Sequence, residues 1–235
     1  MKTTLVTAAL CLGLAASASA IDLADAVYST VSSEGFANLT DTTFSSAGSS
    51  RDLTTIVVVL DYSTVTSLID SGELSSATTL FTFSNSDGNG IAVSISGSQS
   101  ESGEYTLVAN IASGSYSKDS GNLLSTTSYD AETGTITFSV QTMDGNNGTR
   151  IYAADGNVYW SQGNIRWGQA TDGYNQITYS STDALLAVYA FNSALSSEDI
   201  TSVSAQAAAA AVPEPAAATL GLLALGALAL RRRRA

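Results

Sequence analysis

Apolar and polar residues alternate along several short stretches of this 235-residue chain. In residues 91–95 and 136–140, isoleucine, valine and phenylalanine occupy every second position, and serine, threonine or alanine lies between them. Successive side chains of a β-strand point to opposite faces, so a period of two places one face on a core and the other on solvent or polar groups. The alternation therefore predicts strands rather than helices.

Turn sequences rich in Asp, Asn and Gly separate the candidate strands, and no stretch longer than about ten residues has a strong helical period. About nine strands at this spacing are typical of a single domain. The candidate strands are 54–60, 80–84, 91–95, 105–111, 135–140, 150–153, 157–161, 177–179 and 185–191. The predicted fold class is all-β, an antiparallel β-sandwich of the jelly-roll type.

The N-terminus has the pattern of a secretory signal peptide. Lys2 supplies a positive charge, residues 5–16 form a short apolar run, and Ala18-Ser19-Ala20 offers small residues at a cleavage site. Cleavage after Ala20 would make Ile21 the first residue. It would also remove Cys11, the one cysteine of the chain, so we expect no disulfide in the mature protein.

The C-terminus combines two prolines, an uncharged apolar run at 216–230 and a cluster of arginines. As a helix this run would be about 22 Å long, which is shorter than the roughly 30 Å hydrocarbon core of a membrane. Terminal arginines hold their end on the cytoplasmic side. The segment is thus expected to insert only transiently into the inner membrane. Its proline and charged residues are Pro213, Glu214, Pro215, Arg231, Arg232, Arg233 and Arg234.

This C-terminal segment resembles the PEP-CTERM sorting signal of Gram-negative bacteria. The resemblance implies that a membrane-embedded exosortase recognises the Pro-Glu-Pro stretch, removes the tail and releases the protein to the cell surface or an extracellular polysaccharide matrix. A permanent tail anchor is the alternative. The expected organisation is a signal peptide at 1–20, a sandwich domain at 21–206, an Ala-rich linker at 207–212 and the sorting tail at 213–235.

Two stretches of the sandwich domain are similar to LamG-like domains, which are concanavalin A-like jelly rolls. Residues 185–200 have the pattern of a last strand, a closing turn and a helix that Ser196 caps together with Asp199. Residues 150–158 have the pattern of two strands joined by Asp-Gly. The resemblance implies a lectin-like fold, although the tryptophan usual in an early strand is missing near 56–60.

Charge and composition exclude several classes of function. The chain contains 21 acidic and nine basic residues and no histidine, for a formal net charge of −12. Without Lys2 and the four terminal arginines, the mature domain keeps only Arg51, Lys118, Arg150 and Arg166. Binding to nucleic acid requires clusters of basic residues, so it is excluded for this domain. Without histidine or a mature cysteine, the protein lacks the usual catalytic triads and zinc sites. An acidic surface fits a soluble extracellular protein, or one that collects cations.

Glycan hydrolysis by carboxylates would need two acids about 5–9 Å apart across the scissile bond. Glu101 and Glu104 lie in a Ser/Gly-rich turn, and Glu198 and Asp199 belong to the predicted helix cap. Neither pair is placed to act on one substrate. We therefore predict that the protein is not an enzyme, and a glycan-cleaving enzyme is the least favoured of three hypotheses.

Aromatic residues suggest a candidate platform for a sugar, because rings of Trp and Tyr combine a large apolar face with a polar group. The candidates are Tyr159, Trp160, Trp167 and Tyr174, which lie among Ser, Gln, Asn and Gly residues. Packing of these rings in the core is the alternative.

Two Asp/Asn-rich loops are candidate calcium sites, since calcium prefers clustered carboxylate and carbonyl oxygens. The candidate ligands are Asp87 and Asn89 in one loop and Asp144 and Asn146 in the other. The alternative is that these residues form turns, in which Asn, Asp and Gly are favoured for their backbone conformation.

The favoured hypothesis is a secreted, non-enzymatic module that contacts polysaccharide or a surface protein. The second is a structural matrix protein without a small ligand. The two differ in whether aromatic side chains are exposed to a ligand or buried in the core.

Overall fold

The computed structural model describes residues 21–39, 54–84, 90–113, 116–142, 149–162 and 176–212. Within these residues the chain forms two antiparallel sheets, which confirms the predicted β-sandwich. The large sheet contains β1 (Tyr28–Val31), β2 (Thr55–Asp61), β7 (Tyr129–Asp130), β8 (Thr135–Thr142), β9 (Thr149–Ala153), β10 (Val158–Gln162) and β12 (Leu185–Phe191). The small sheet contains β3 (Thr78–Ser84), β4 (Gly90–Gln99), β5 (Tyr105–Ser113), β6 (Tyr116–Asn122) and β11 (Gln176–Tyr179).

The strand order is β1-β12-β2-β8-β9-β10 in the large sheet, where β7 also pairs with β8, and β11-β3-β4-β5-β6 in the small sheet. Two α-helices accompany the sheets: α1 (Tyr62–Asp70) follows β2 directly, and α2 (Ser197–Ala211) follows β12. No described helix is long and apolar enough to cross a membrane.

The main core lies between the two sheets. Alternate residues of facing strands fill it, so the alternation in the sequence marks the inner face correctly. Its largest fully buried side chains include Phe81, Phe83 and Phe138. At the sheet edges, Tyr28 of β1 and Tyr179 of β11 join the two layers through their hydroxyls, whose oxygens are 2.8 Å apart.

A second core covers the opposite face of the large sheet. There α2 packs Ile200, Val203, Ala207 and Ala211 against side chains of β2, β9 and β12. The domain therefore has three layers: the small sheet, the large sheet and α2. Strand β2 lies in the middle layer, and its residues from Ile56 to Leu60 are all fully buried.

Helix α2 begins as the sequence predicts. The Ser196 side chain accepts a hydrogen bond from the Asp199 backbone N–H at 3.1 Å, and the Ser196 N–H donates to the Asp199 carboxylate at 3.3 Å. These reciprocal bonds form the expected capping box.

Residues 207–212 do not form the expected linker. Helix α2 continues to Ala211, and Ala207, Ala208 and Ala211 are buried. Alanine has the highest helix propensity, and its small side chain lets the helix approach the sheet closely. The folded domain therefore extends to the residue at which the tail begins, rather than ending at 206.

Three described strands are absent from the sequence prediction: β1, β6 and β7. Strand β6 consists of polar residues and glycine, and β7 contains only two residues, so neither shows an apolar alternation. These strands form because their neighbours offer unpaired backbone groups, not because of their own sequence pattern.

A buried network of polar groups fixes the turn between β12 and α2. The Gln141 amide nitrogen donates to the Leu195 carbonyl oxygen at 2.7 Å and to Thr55 Oγ1 at 3.1 Å. The Gln141 amide oxygen accepts a bond from the Tyr152 hydroxyl at 2.9 Å. Thr55 Oγ1 in turn donates to the Ser193 carbonyl oxygen at 2.8 Å.

We predict that Gln141→Leu lowers the free energy of unfolding by about 2 kcal/mol, since it leaves buried partners without a hydrogen bond. Urea unfolding monitored by fluorescence would measure this loss. The matched control is Gln99→Leu at an exposed position of β4, which should change stability by less than about 0.5 kcal/mol. Equal effects of the two substitutions would contradict the role of the network.

Candidate functional site

The described chain includes one complete side chain of the predicted aromatic platform. Tyr159 is half-buried and packs against the main core, and its hydroxyl oxygen is 3.1 Å from Ser128 Oγ. Burial raises the pKa of the Tyr159 phenol. The ring thus contributes to the core, as the alternative interpretation of these aromatics expects. Trp160 lies on β10, but its side chain is outside the described part.

Most other predicted site residues lie outside the described residues. This holds for Trp167, Tyr174, Asp87, Asn89, Asp144, Asn146, Pro213, Glu214, Pro215, Arg231, Arg232, Arg233 and Arg234. Within the described ranges, no group of three acidic, histidine or cysteine residues is arranged to hold a metal ion. The two calcium loops stay predictions.

A groove of about 430 Å³ lies at the end of the sandwich where β2 passes into α1. Three tyrosines line it: Tyr62, Tyr105 and Tyr129. Glu104, Asn122 and Leu124 are also among its lining residues. We call this feature the tyrosine groove. Several aromatic rings and polar side chains come together in it.

Tyr62 is placed by the beginning of α1. The preceding residue, Asp61, caps the helix through Oδ1, which accepts a hydrogen bond from the Thr64 backbone N–H at 2.7 Å. The Tyr62 N–H donates to the Gly134 carbonyl oxygen at 2.9 Å. Gly134 has a φ of 67°, which favours glycine in the turn before β8.

The ring of Tyr129 lies beside that of Tyr62. Their centroids are 4.4 Å apart and their planes are inclined by 33°. Tyr129 belongs to β7 and is paired with Ile136 of β8. This tilted contact helps to hold both rings in position, because aromatic pairs at such distances attract one another.

Tyr105 faces the other end of α1. Its hydroxyl oxygen is 3.0 Å from both carboxylate oxygens of Asp70, the last residue of the helix, and the hydroxyl donates to that carboxylate. This hydrogen bond raises the pKa of the Tyr105 phenol. Helix α1 therefore contacts the groove at both ends, through Tyr62 and through Asp70.

The small sheet sets the position of α1. Gly97 of β4 lies so close to the helix that a Cβ atom there would be 2.6 Å from Ile69 Cδ1. Only glycine permits this approach without displacing the Ile69 side chain. The distance between Asp70 and Tyr105 thus depends on the packing at Gly97.

Two polar side chains of the groove are available to a ligand. The Asn122 carbonyl oxygen accepts bonds from the Leu107 and Leu124 N–H groups at 3.1 and 3.0 Å. Its amide nitrogen and the Glu104 carboxylate make no hydrogen bond to other described residues. The Asn122 amide nitrogen therefore adds a donor, and the Glu104 carboxylate an acceptor, beside the three rings.

The sequence analysis did not identify this groove. Tyr62, Tyr105 and Tyr129 are far apart in the chain and lie on α1, on the small sheet and on the large sheet, so only the packing of the two sheets and the helix brings them together. Tyr105 and Tyr129 begin β5 and β7, and Tyr62 directly follows the last residue of β2.

Comparison with known proteins gives one sequence match. Residues 211–234 match the family model of the PEP-CTERM protein-sorting motif, so the sorting signal predicted from the sequence is confirmed. The motif implies export, membrane-associated sorting by an exosortase and delivery to the surface. No curated protein matches the chain.

Two solved structures show distant likeness. The botulinum neurotoxin serotype G binding domain has 16% identity and a TM-score of 0.37, with coverage of 72% of this chain and 40% of that chain. A mutant alginate lyase in complex with alginate tetrasaccharide has 15% identity and a TM-score of 0.25, with coverage of 60% and 66%. These values do not assign a function, and the concanavalin A-like assignment within the sandwich class stays a prediction.

We predict that Asp61→Ala lowers the free energy of unfolding by about 1 kcal/mol at neutral pH, because α1 loses its N-cap. Burial raises the pKa of Asp61, but hydrogen bonds from Ser63 and Thr64 outweigh it and hold the pKa below its ordinary value. The stabilisation by Asp61 is therefore present above the ordinary pKa and is lost as the pH falls through the lower pKa of the folded state.

Urea unfolding between pH 7 and pH 2.5 would test this. The stability difference between the native protein and Asp61→Ala should shrink at the acidic end of the range. Asp183→Ala removes an exposed carboxylate without a described hydrogen bond and serves as the control. A difference that does not depend on pH would contradict the prediction.

Proposed function

We propose that this protein is exported through a signal peptide, is trimmed by an exosortase, and binds neutral polysaccharide at the cell surface or in the extracellular matrix of a Gram-negative bacterium. The tyrosine groove is the proposed binding site. The observation that carries the proposal is the convergence of Tyr62, Tyr105 and Tyr129 in one groove of an exported β-sandwich.

The chemistry of the groove supports a saccharide ligand. Sugar rings have an apolar face of C–H groups and a rim of hydroxyls, so they bind where aromatic faces lie beside hydrogen-bonding groups. The tyrosine rings supply the apolar surface. The Asn122 amide can donate to a hydroxyl, and the Glu104 carboxylate can accept from one.

Charge favours a neutral rather than an acidic polysaccharide. Among the described lining residues, Glu104 is acidic and none is basic. A second carboxylate, that of Asp70, accepts the hydrogen bond of the Tyr105 hydroxyl next to the groove. The whole chain carries a formal charge of −12. A uronate or sulfate group in the groove would be repelled and would find no described cation to pair with.

We infer binding without cleavage. Hydrolysis of a glycosidic bond by paired acids requires two carboxyl groups across the bond. Glu104 lines the groove, whereas the Asp70 carboxylate accepts the hydrogen bond of Tyr105 and is held by it. The described lining thus offers one available carboxylate.

The alternative function is that of a structural matrix protein without a small ligand. Tyr159, one of the predicted platform residues, packs against the main core, which is compatible with that alternative. Binding experiments distinguish the two.

We predict that the protein binds a neutral polysaccharide and that Tyr105→Ala weakens this binding at least tenfold, because it removes one face of the site. Tyr105→Phe keeps the ring and should stay within about threefold of the native affinity. Affinity electrophoresis in gels containing neutral glucans, mannans or galactans would measure retardation, with alginate as the acidic comparison.

Two outcomes would contradict the proposal. Migration unaffected by every neutral polysaccharide would favour the structural alternative. Retardation by alginate alone would show that the charge argument is wrong. Circular dichroism of each variant would establish that it keeps the fold.

We also predict that the protein recovered from outside the cells ends between Val212 and Pro215. Mass spectrometry of the intact protein would measure this end. Replacing Pro213, Glu214 and Pro215 together by alanine keeps the apolar run and the arginines, and should leave most of the protein uncleaved in the membrane fraction. An exported product that retains the tail would contradict exosortase processing.

A further inference from the structure

The first described residues lie against helix α2. The Ile21 and Leu23 side chains pack against the second core, and the Leu23 backbone N–H donates to the Gln206 side-chain oxygen at 3.0 Å. A short 3₁₀ turn at Leu23–Asp25 follows, and strand β1 then pairs with β12. The segment from Ile21 is therefore an integral part of the fold.

The backbone nitrogen of Ile21 lies 3.4 Å from Oδ1 of Asp199. The other carboxylate oxygen of Asp199 accepts hydrogen bonds from the Ser196 hydroxyl at 2.6 Å and the Ser196 N–H at 3.3 Å. One oxygen thus caps α2, and the other points to Ile21. Both residues are half-buried.

We propose that removal of the signal peptide after Ala20 creates an ion pair between the new α-ammonium group of Ile21 and the Asp199 carboxylate, and that this pair completes the fold. In the uncut chain the Ile21 nitrogen is a neutral amide with one N–H. Hydrolysis breaks the Ala20–Ile21 peptide bond. The oxygen of water becomes part of the Ala20 carboxylate, and its two protons bind the Ile21 nitrogen, which becomes an ammonium group with three N–H bonds.

The distance suits such a pair. An ammonium nitrogen and a carboxylate oxygen within 4 Å form a salt bridge, and partial burial reduces the screening by solvent and salt. The positive end of the α2 dipole opposes a cation at this place. The full negative charge of Asp199 is in direct contact with Ile21 and outweighs the partial charges of the helix end.

This inference rests on cleavage after Ala20, which is part of the proposed function, but not on glycan binding. It gives the cleavage a second consequence: besides removing the signal peptide, it adds a positive charge to a contact that in the precursor joins only a neutral amide to Asp199. The native form would be more stable than any form with residues before Ile21.

The test compares the exported protein with a variant in which Gly-Ser is inserted between Ala20 and Ile21, so that cleavage leaves two extra residues. N-terminal sequencing should give Ile21 as the first residue of the native form. In urea, the unfolding equilibrium constant of the extended form should be roughly five- to tenfold larger than that of the native form.

Asp199→Asn in both forms identifies the partner. Asparagine keeps a capping oxygen but not the charge, so the difference between native and extended forms should disappear. Glu198→Gln, at an exposed position of the same helical turn, is the matched control and should preserve the difference. If Asp199→Asn does not fold, Asp199→Ser retains a capping group and takes its place.

A native product that begins at another residue would overturn the proposal, as would equal stability of native and extended forms. A difference that persists in Asp199→Asn would also overturn it, because the extra residues would then act by a route other than this ion pair. Loss of polysaccharide binding would leave the proposal unaffected, so its failure and that of the glycan site are distinguishable.

Discussion

Strand β2 is buried on both faces, and the layers on either side of it follow from this requirement. Ile56, Val58 and Leu60 face the small sheet, and Val57 and Val59 face the layer of α2. Burying one such side chain contributes about 1.5–3 kcal/mol, so the strand is stable only when both faces are covered. The small sheet provides one cover and α2 the other.

The tyrosine groove depends on the same strand. Where the apolar run of β2 ends, Asp61 stops the strand and caps α1, which places Tyr62 at the mouth of the groove. The close approach of α1 to Gly97 then determines where Asp70 meets Tyr105. The proposed site thus lies where the core strand passes into α1, and the acid that lines it, Glu104, comes from the turn before β5.

Sequence patterns predicted much of this architecture, and physical reasons explain what they missed. The alternation at 91–95 and 136–140 identifies inward-facing residues, because one face of each strand meets the main core. Capping of α2 by Ser196 was predictable because it involves only neighbours in the sequence. The alanines at 207–211 were predicted to be a linker, since alanine shows neither apolar bulk nor alternation, yet Ala207 and Ala211 pack on the sheet. The groove could not be predicted, because it depends on contacts between residues distant in the chain.

The order of strands in the large sheet has a consequence for the kinetics of folding. Strands β1 and β2 near the start of the chain pair with β12 near its end, and the contact between Thr55 and Leu195 joins residues 140 positions apart. Such non-local pairing is slow because a long loop must close first. In a chain that is exported from its N-terminus, β2 crosses the membrane before β12, a strand with which it pairs. During that interval its run of valines is exposed, and such unpaired apolar strands are prone to aggregation until the last strand pairs with them.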